Sequence, residues 1–182
     1  MKALIISDIH GSSYYLKKVL DNECYFDKLI ILGDILYHGP RNDLPYGYNP
    51  KEVIKILNNL KTKIIAVKGN CEAYVDQMVL DFPICESSFV SMNNLDLFLT
   101  HGHLINEEHP ISLPYKTIVL YGHTHIHKIS EVNGNTYLNP GSVSLAKGDK
   151  INSYAILENN KITIYDLNKN VLMQYSQSIK YE

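Results

Sequence analysis

At five places an apolar run ends in residues able to hold a metal ion: Asp8 and His10 in SDIH, Asp34 in GD, Asn70 in GN, His101 and His103 in HGH, and His123 and His125 in GHTH. Carboxylate and amide oxygens stand beside imidazoles, without thiolates. That donor set suits Mn, Fe, Zn or similar divalent ions and not Ca, which takes oxygen alone. Two or three oxygen donors and four or five imidazoles are too many for one ion that leaves room for substrate. They suit two ions that share one carboxylate. Singly, each motif has a blander explanation: Asp-x-His is more often a turn with a surface histidine, and Gly-Asp and Gly-Asn are ordinary exits from a strand. His123-Thr124-His125 is stronger, because alternate residues of an extended segment share a face. Recurrence at successive strand ends carries the metal reading.

For these motifs to meet, their strands must lie side by side. Residues 3–6, 29–32 and 64–67 are unbroken apolar runs of the kind that form buried strands. Ser12 is placed to cap a helix with apolar Leu16, Val19 and Leu20. Asn49-Pro50 begins another, with Val53, Ile54, Leu57 and Leu60 on one face. Strand–helix alternation implies right-handed crossovers and a parallel sheet, and ligands gather beyond the carboxyl ends of such strands. The second half is richer in strands, at 95–99, 118–121, 130–132, 136–138, 154–157 and 162–167, with turns at Asn133-Gly134 and 158–161. This close spacing predicts antiparallel pairing. An α/β sandwich of two facing sheets with helices outside satisfies both halves, as one domain over residues 1–182.

Composition narrows the function. Lys plus Arg number 17 against 19 Asp plus Glu, a net charge of −2. Such balance argues against a surface built to grip nucleic acid or anionic lipid. Apolar runs do not exceed four residues, far short of the ~20 that cross a bilayer, and the start of the chain is too short for a signal-peptide core. Cys24, Cys71 and Cys85 are odd in number and scattered, which argues against a disulfide framework. The expectation is a reduced, cytoplasmic protein.

The ordered set D-x-H, GD, GN, H and GH-x-H resembles the calcineurin-like metallophosphoesterase superfamily. GDILYHGPRNDLPYGYNP (33–50), AVKGNCEAYVDQM (66–78), FLTHGHL (98–104), YGHTH (121–125) and LNPGSVS (138–144) resemble its YfcE-type bacterial phosphodiesterases. The resemblance implies a four-layer α/β/β/α sandwich with two facing mixed sheets. It also implies one ion on Asp8, His10, Asp34 and His125 and a second on Asp34, Asn70, His101 and His123, with Asp34 bridging. Mn is the first expectation, with Fe, Zn, Ni and Mg as alternatives. The implied reaction is hydrolysis of a small phosphodiester: two ions ~3.5–4 Å apart offset its charge and hold the bridging hydroxide that attacks. A nuclease of the same superfamily, a phosphomonoesterase and a non-catalytic protein-binding scaffold are the competing readings.

Four further residues are candidates to act on the substrate. His38 and Arg41 lie in HGPRN, and an Arg fork matches phosphate oxygens; pairing of Arg41 with Asp43 is the plainer alternative. His103 reaches substrate or is structural. Cys71 stands where many superfamily members carry the histidine thought to protonate the leaving group. A thiol is a weaker donor, so weak leaving-group assistance is expected, and a space-filling role is the simpler account of Cys71. The loop from Leu36 to Tyr48, with two Pro and two Gly, is expected as a rim over the pocket, its Tyr37, Tyr46 and Tyr48 available to stack on an aromatic leaving group or on a neighbouring subunit. The 14 tyrosines are compatible with a homodimer or homotetramer. His109 and His127 are expected at the surface, and residues 139–142 as scaffolding for the metal loops.

Overall fold

The computed structural model describes residues 1–177. Strand β1 (Ala3–Ile6), helix α1 (Ser13–Asn22), strand β2 (Lys28–Ile31), helix α2 (Pro50–Asn59) and strand β3 (Ile64–Val67) follow in order. Both helices begin at the expected caps. The Ser12 side chain accepts from the Tyr15 N–H and the Asn49 side chain from the Glu52 N–H, with Pro50 opening α2. β1, β2 and β3 pair in parallel. The one-turn helix α3 (Asp76–Val79) leads to β4 (Ile84–Cys85), which adds in parallel to β3.

Strands β5 (Ser88–Met92) and β6 (Leu95–Leu99) form an antiparallel hairpin. They open a second sheet with β7 (Ile118–Leu120), β8 (His127–Val132) and β9 (Asn135–Pro140). Strands β10 (Ser153–Glu158), β11 (Lys161–Asp166) and β12 (Val171–Ser176) return to the first sheet, where β10 lies antiparallel to β1. The two mixed sheets run β12-β11-β10-β1-β2-β3-β4 and β5-β6-β7-β9-β8. Antiparallel pairing, expected throughout the second half, holds where a tight turn joins neighbours and between β10 and β1. β6, β7 and β9 are parallel, because long connections separate these strands and let each run in the same direction.

Side-chain alternation along β1 builds the layers. Leu4 and Ile6 face α1 and α2, packing with Leu16, Val19, Val53 and Leu57. Ala3 and Ile5 face the other sheet, packing with Leu97, Leu99, Ile118 and Leu138. The outer face of the five-stranded sheet carries Val119, Tyr121 and Tyr137, and the coil between β6 and β7 covers it through Leu113. The sandwich brings the carboxyl ends of β1, β2, β3, β6 and β7 to one edge.

Ile5 is fully buried between the sheets, so Ile5→Ala should cost about 2–5 kcal/mol in chemical denaturation. A loss under about 1 kcal/mol would mean that the two sheets do not share this core.

Candidate metal centre

Beyond the strand ends the chain keeps its ladder for a few more residues. Asp8 N–H donates to Gly33 O at 3.1 Å and His10 N–H to Asp34 O at 2.9 Å, while Gly122 N–H donates to His101 O at 2.7 Å. Neighbouring loops are thereby zipped together. Tight approach dictates small residues: a Cβ on Gly33 would lie 2.6 Å from Gly69 N and 2.8 Å from His101 Nδ1, and one on Gly122 would strike Ser7 Oγ. Asp8, His10, Asp34, His123 and His125 all have φ between 48° and 67°. That left-handed region costs a non-glycine residue about 1–2 kcal/mol, and strain of this kind concentrates at functional sites.

Residues 139–145 hold these loops. Asn139 Nδ2 donates to Gly122 O at 2.7 Å and to Thr124 Oγ1 at 3.0 Å. Ser142 Oγ donates to Asp8 O at 2.8 Å, and Ser144 Oγ donates to Ile9 O at 2.9 Å. The expected scaffolding contacts are therefore present.

The imidazoles are aimed in the same manner. His10 Nδ1 meets Tyr37 O at 2.8 Å, His101 Nδ1 meets Leu32 O at 2.7 Å, and His125 Nδ1 meets Leu145 O at 2.7 Å. A carbonyl only accepts, so each ring donates from Nδ1 and turns Nε2 inward. His10 Nε2 and His125 Nε2 stand 3.1 Å apart. Asp8 Oδ1 lies 3.6 Å and 3.2 Å from those two nitrogens, is buried and has no hydrogen-bond partner. Its other oxygen accepts from Ser7 Oγ at 2.6 Å and His123 N–H at 3.1 Å. Asp34 is divided likewise. Oδ1 accepts from Cys71 N–H at 2.9 Å, while Oδ2 lies 3.7 Å from His10 Nε2 and 3.4 Å from His101 Nε2. Asn70 Oδ1 stands 3.1 Å from His101 Nε2.

Buried lone pairs converging at 3–4 Å favour positive charge between them, from protons or from metal cations. These residues fit divalent ions, in groups such as Asp8, His10 and His125, or Asp8, Asp34 and His101. His10, Asp34 and Cys71 form another compact group. His123 is outside all three; its ring centroid is 5.2 Å from that of His101. His103 is exposed, with its ring 5.6 Å from His101.

Without ions, protons take the place of cations. Burial opposes charge on His101, but its hydrogen bond to Asp34 and the nearby Asp8 and Asp34 charges win, raising it to about 9. Burial, then the charge on His101, keeps His103 and His123 below the ordinary histidine value. Burial, then the Asp34 carboxylate, pushes the Cys71 thiol up to about 12. Glu72 accepts from the backbone N–H groups of Asp34, Ile35 and Gly69, clamping the two loops together.

A cavity of about 420 Å³ opens over the cage, lined by residues 39–42, Cys71, Thr124 and Lys147 beside Asp34, Asn70, His123 and His125. Arg41 is thus in the wall. His38 is outside the lining, with its ring packed edge-on against Tyr37 and Tyr48. The loop from Leu36 to Tyr48 walls the cavity through residues 39–42, but none of its three tyrosines lines it: Tyr46 packs with Tyr14 and Tyr15, and Tyr48 with His38. His109 is exposed, whereas His127 is mostly buried and faces Asp149 at 3.4 Å. Lys147 and Glu72 were not legible as site residues: Lys147 is remote in sequence from every ligand motif, and Glu72 only follows one.

A family model described as the calcineurin-like phosphoesterase superfamily domain matches residues 1–161. The chain belongs to this superfamily. It is 44% identical over 172 residues to Phosphodiesterase YfcE of Escherichia coli K12, covering 92% of this chain and 93% of that protein. The solved structure of YfcE, a phosphoesterase from E. coli, matches with a TM-score of 0.92 at 41% identity, over 97% of this chain and 99% of that one. Vacuolar Protein Sorting 29 from Cryptosporidium parvum, at 20% identity and a TM-score of 0.64, covers 97% of this chain and 98% of its own, a likeness of fold alone. Among the described residues no helix is long and apolar enough to cross a membrane.

An ion held by His101 would displace its proton, so apparent affinity for a divalent metal should rise with pH up to about 9, by as much as tenfold per unit for each proton released. In the ion-free protein, the raised His101 value stabilises the fold fully below pH 6.5, and that contribution disappears as pH climbs through about 9. The Tm of chelator-treated protein should therefore fall between pH 6.5 and 9. A Tm that rises across this window would contradict the His101–Asp34 pairing.

Proposed function

We propose that this chain is a phosphoric diester hydrolase that works with two divalent ions. Its membership of the superfamily and its 44% identity to a named phosphodiesterase support the reaction. The observation that carries the two-ion reading is Asp34: one carboxylate oxygen faces His10 on one side and His101 on the other. In this proposal Asp8, His10, Asp34 and His125 hold one ion, and Asp34, Asn70, His101 and His123 the other. Mn is our first choice for this oxygen and imidazole set, with Fe, Zn, Ni and Mg as alternatives.

When bound, the two ions offset the negative charge of the diester and acidify the attacking water. The protein's own work is to hold every donor in place beforehand. Backbone carbonyls fix the tautomers of His10, His101 and His125. The Cys71 N–H holds Asp34 so that its free oxygen points at both imidazoles. Arg41 in the cavity wall offers paired N–H donors to the non-bridging phosphate oxygens. His103 stands neutral beside His101 and donates a single hydrogen bond to substrate. His38 acts from behind, through its packing on Tyr37 and Tyr48. Cys71 remains a neutral thiol next to the leaving group, so departure depends on the leaving group's own acidity.

The cavity's modest size favours a small diester over a nucleic acid, and the complete ligand set favours catalysis over a binding-scaffold role. We further propose one domain over residues 1–182, acting in the cytoplasm, where its three free cysteines stay reduced. Self-association as a homodimer or homotetramer is supported by exposed Tyr74, Val75 and Met78 around α3.

Purified protein should cleave bis-aryl phosphates faster than mono-aryl phosphates, lose activity to a chelator and regain it with Mn. Asp34→Asn should lower the rate more than about a hundredfold, beyond the 10–100-fold typical for an outer partner of a metal ligand, with fewer ions bound. Parent-like hydrolysis by this variant would remove the bridge from the proposal. Cys71→His should speed esters with poor leaving groups more than those with good ones; an equal effect on both would leave Cys71 as packing.

A further inference from the structure

Two cationic residues, Arg41 and Lys147, line the cavity from different loops. Arg41 belongs to the segment after β2, which packs against Cys71: a Cβ on neighbouring Gly39 would lie 3.1 Å from that sulfur. Lys147 belongs to the loop between β9 and β10, and this loop is tied to the cage twice. The Lys147 N–H donates to His125 O at 3.0 Å, and His125 Nδ1 donates to Leu145 O at 2.7 Å. The backbone of Lys147 is therefore held in register with an imidazole of the cage. Asp149, the nearest carboxylate in sequence, is turned to His127 at 3.4 Å and does not neutralise it.

Charge balance assigns this second cation a task. Two divalent ions, when bound, would be matched by Asp8, Asp34, the single charge of a diester and the attacking hydroxide. Glu72, clamped by backbone N–H groups, balances at most one more positive charge. Arg41 and Lys147 together leave positive charge that a simple diester does not use. The rest of the lining includes Gly39, Pro40, Asn42 and Thr124, with no Phe, Tyr or Trp among the described residues.

We propose that Lys147 binds a second anionic group, a carboxylate or a phosphate, on the substituent that stays attached to phosphorus. The preferred substrates are then phosphodiesters with additional negative charge. The inference rests on the phosphodiesterase reading above and deepens it. Lysine suits the role: its flexible stem carries a point charge to variable positions, whereas the planar fork of Arg41 suits two oxygens of one phosphoryl group.

The test uses the Mn-loaded protein and three p-nitrophenyl phosphodiesters with one leaving group. The retained substituent is phenyl, 3-carboxyphenyl or 3-phosphophenyl, so the carboxylate and phosphate arms distinguish the two anions. The parent should favour at least one charged ester over the phenyl ester by about tenfold in kcat/KM, the lower range for a charge-assisted hydrogen bond. Lys147→Met should bring that ratio close to one, and Lys147→Arg should restore most of it. Calorimetric binding of phenyl phosphate and 3-carboxyphenyl phosphate should follow the same order. A ratio unchanged in Lys147→Met, or a parent without preference, overturns the proposal even where all three esters are cleaved. A parent that binds Mn and cleaves none of them overturns the phosphodiesterase reading itself.

Discussion

The structure turns on one electrostatic constraint: carboxylate oxygens and imidazole nitrogens with free lone pairs are buried facing one another. Asp8, His10 and His101 have no solvent exposure, and Asp34 only 2%. Unshielded, such an arrangement repels itself. Protons relieve it in the ion-free protein, and divalent cations relieve it more fully. The raised pKa of His101 and the lowered pKa of Asp8 express the same demand for positive charge from opposite sides. For Asp8, burial pushes upward, and the hydrogen bonds from His10 and His125 outweigh it.

Holding that arrangement strains the backbone, and the fold supplies the restraint. Five site residues sit in the left-handed region, and no single contact keeps them there. Ladder bonds between neighbouring loops, the Asn139 and Ser142 side chains and the Glu72 carboxylate all converge on them. Rigid strands on one side and a hydrogen-bonded collar on the other leave the donors little freedom to reorganise, the condition under which electrostatic catalysis is most effective.

Much of this was legible in the sequence, for identifiable reasons. Apolar runs at residues 3–6, 29–32 and 64–67 admit no other role, and Ser12 and Asn49-Pro50 announce their helices in the right chemical terms. The candidate ligands were legible because each closely follows a strand. Strands β5 and β12 were missed because their mixed burial gives no unbroken apolar run, and β4 and α3 because two and four residues carry too little pattern. The parallel course of β6, β7 and β9 depends on long connections whose path no local signal encodes. Side-chain society was illegible too: Tyr14, Tyr15 and Tyr46 pack together, and only the folded chain brings Lys147 to His125.

The place of β1 has a consequence for how the protein is made. This strand carries Asp8 and His10 into the cage, yet its antiparallel neighbour is β10, and the serines that pin Asp8 are Ser142 and Ser144. Synthesis proceeds from the amino terminus. Until Ser153–Glu158 has been made, Ala3–Ile6 therefore has an open sheet edge on that side. A chain cut before Ser142 would lack both the strand that closes β1 and the hydroxyls that hold Asp8.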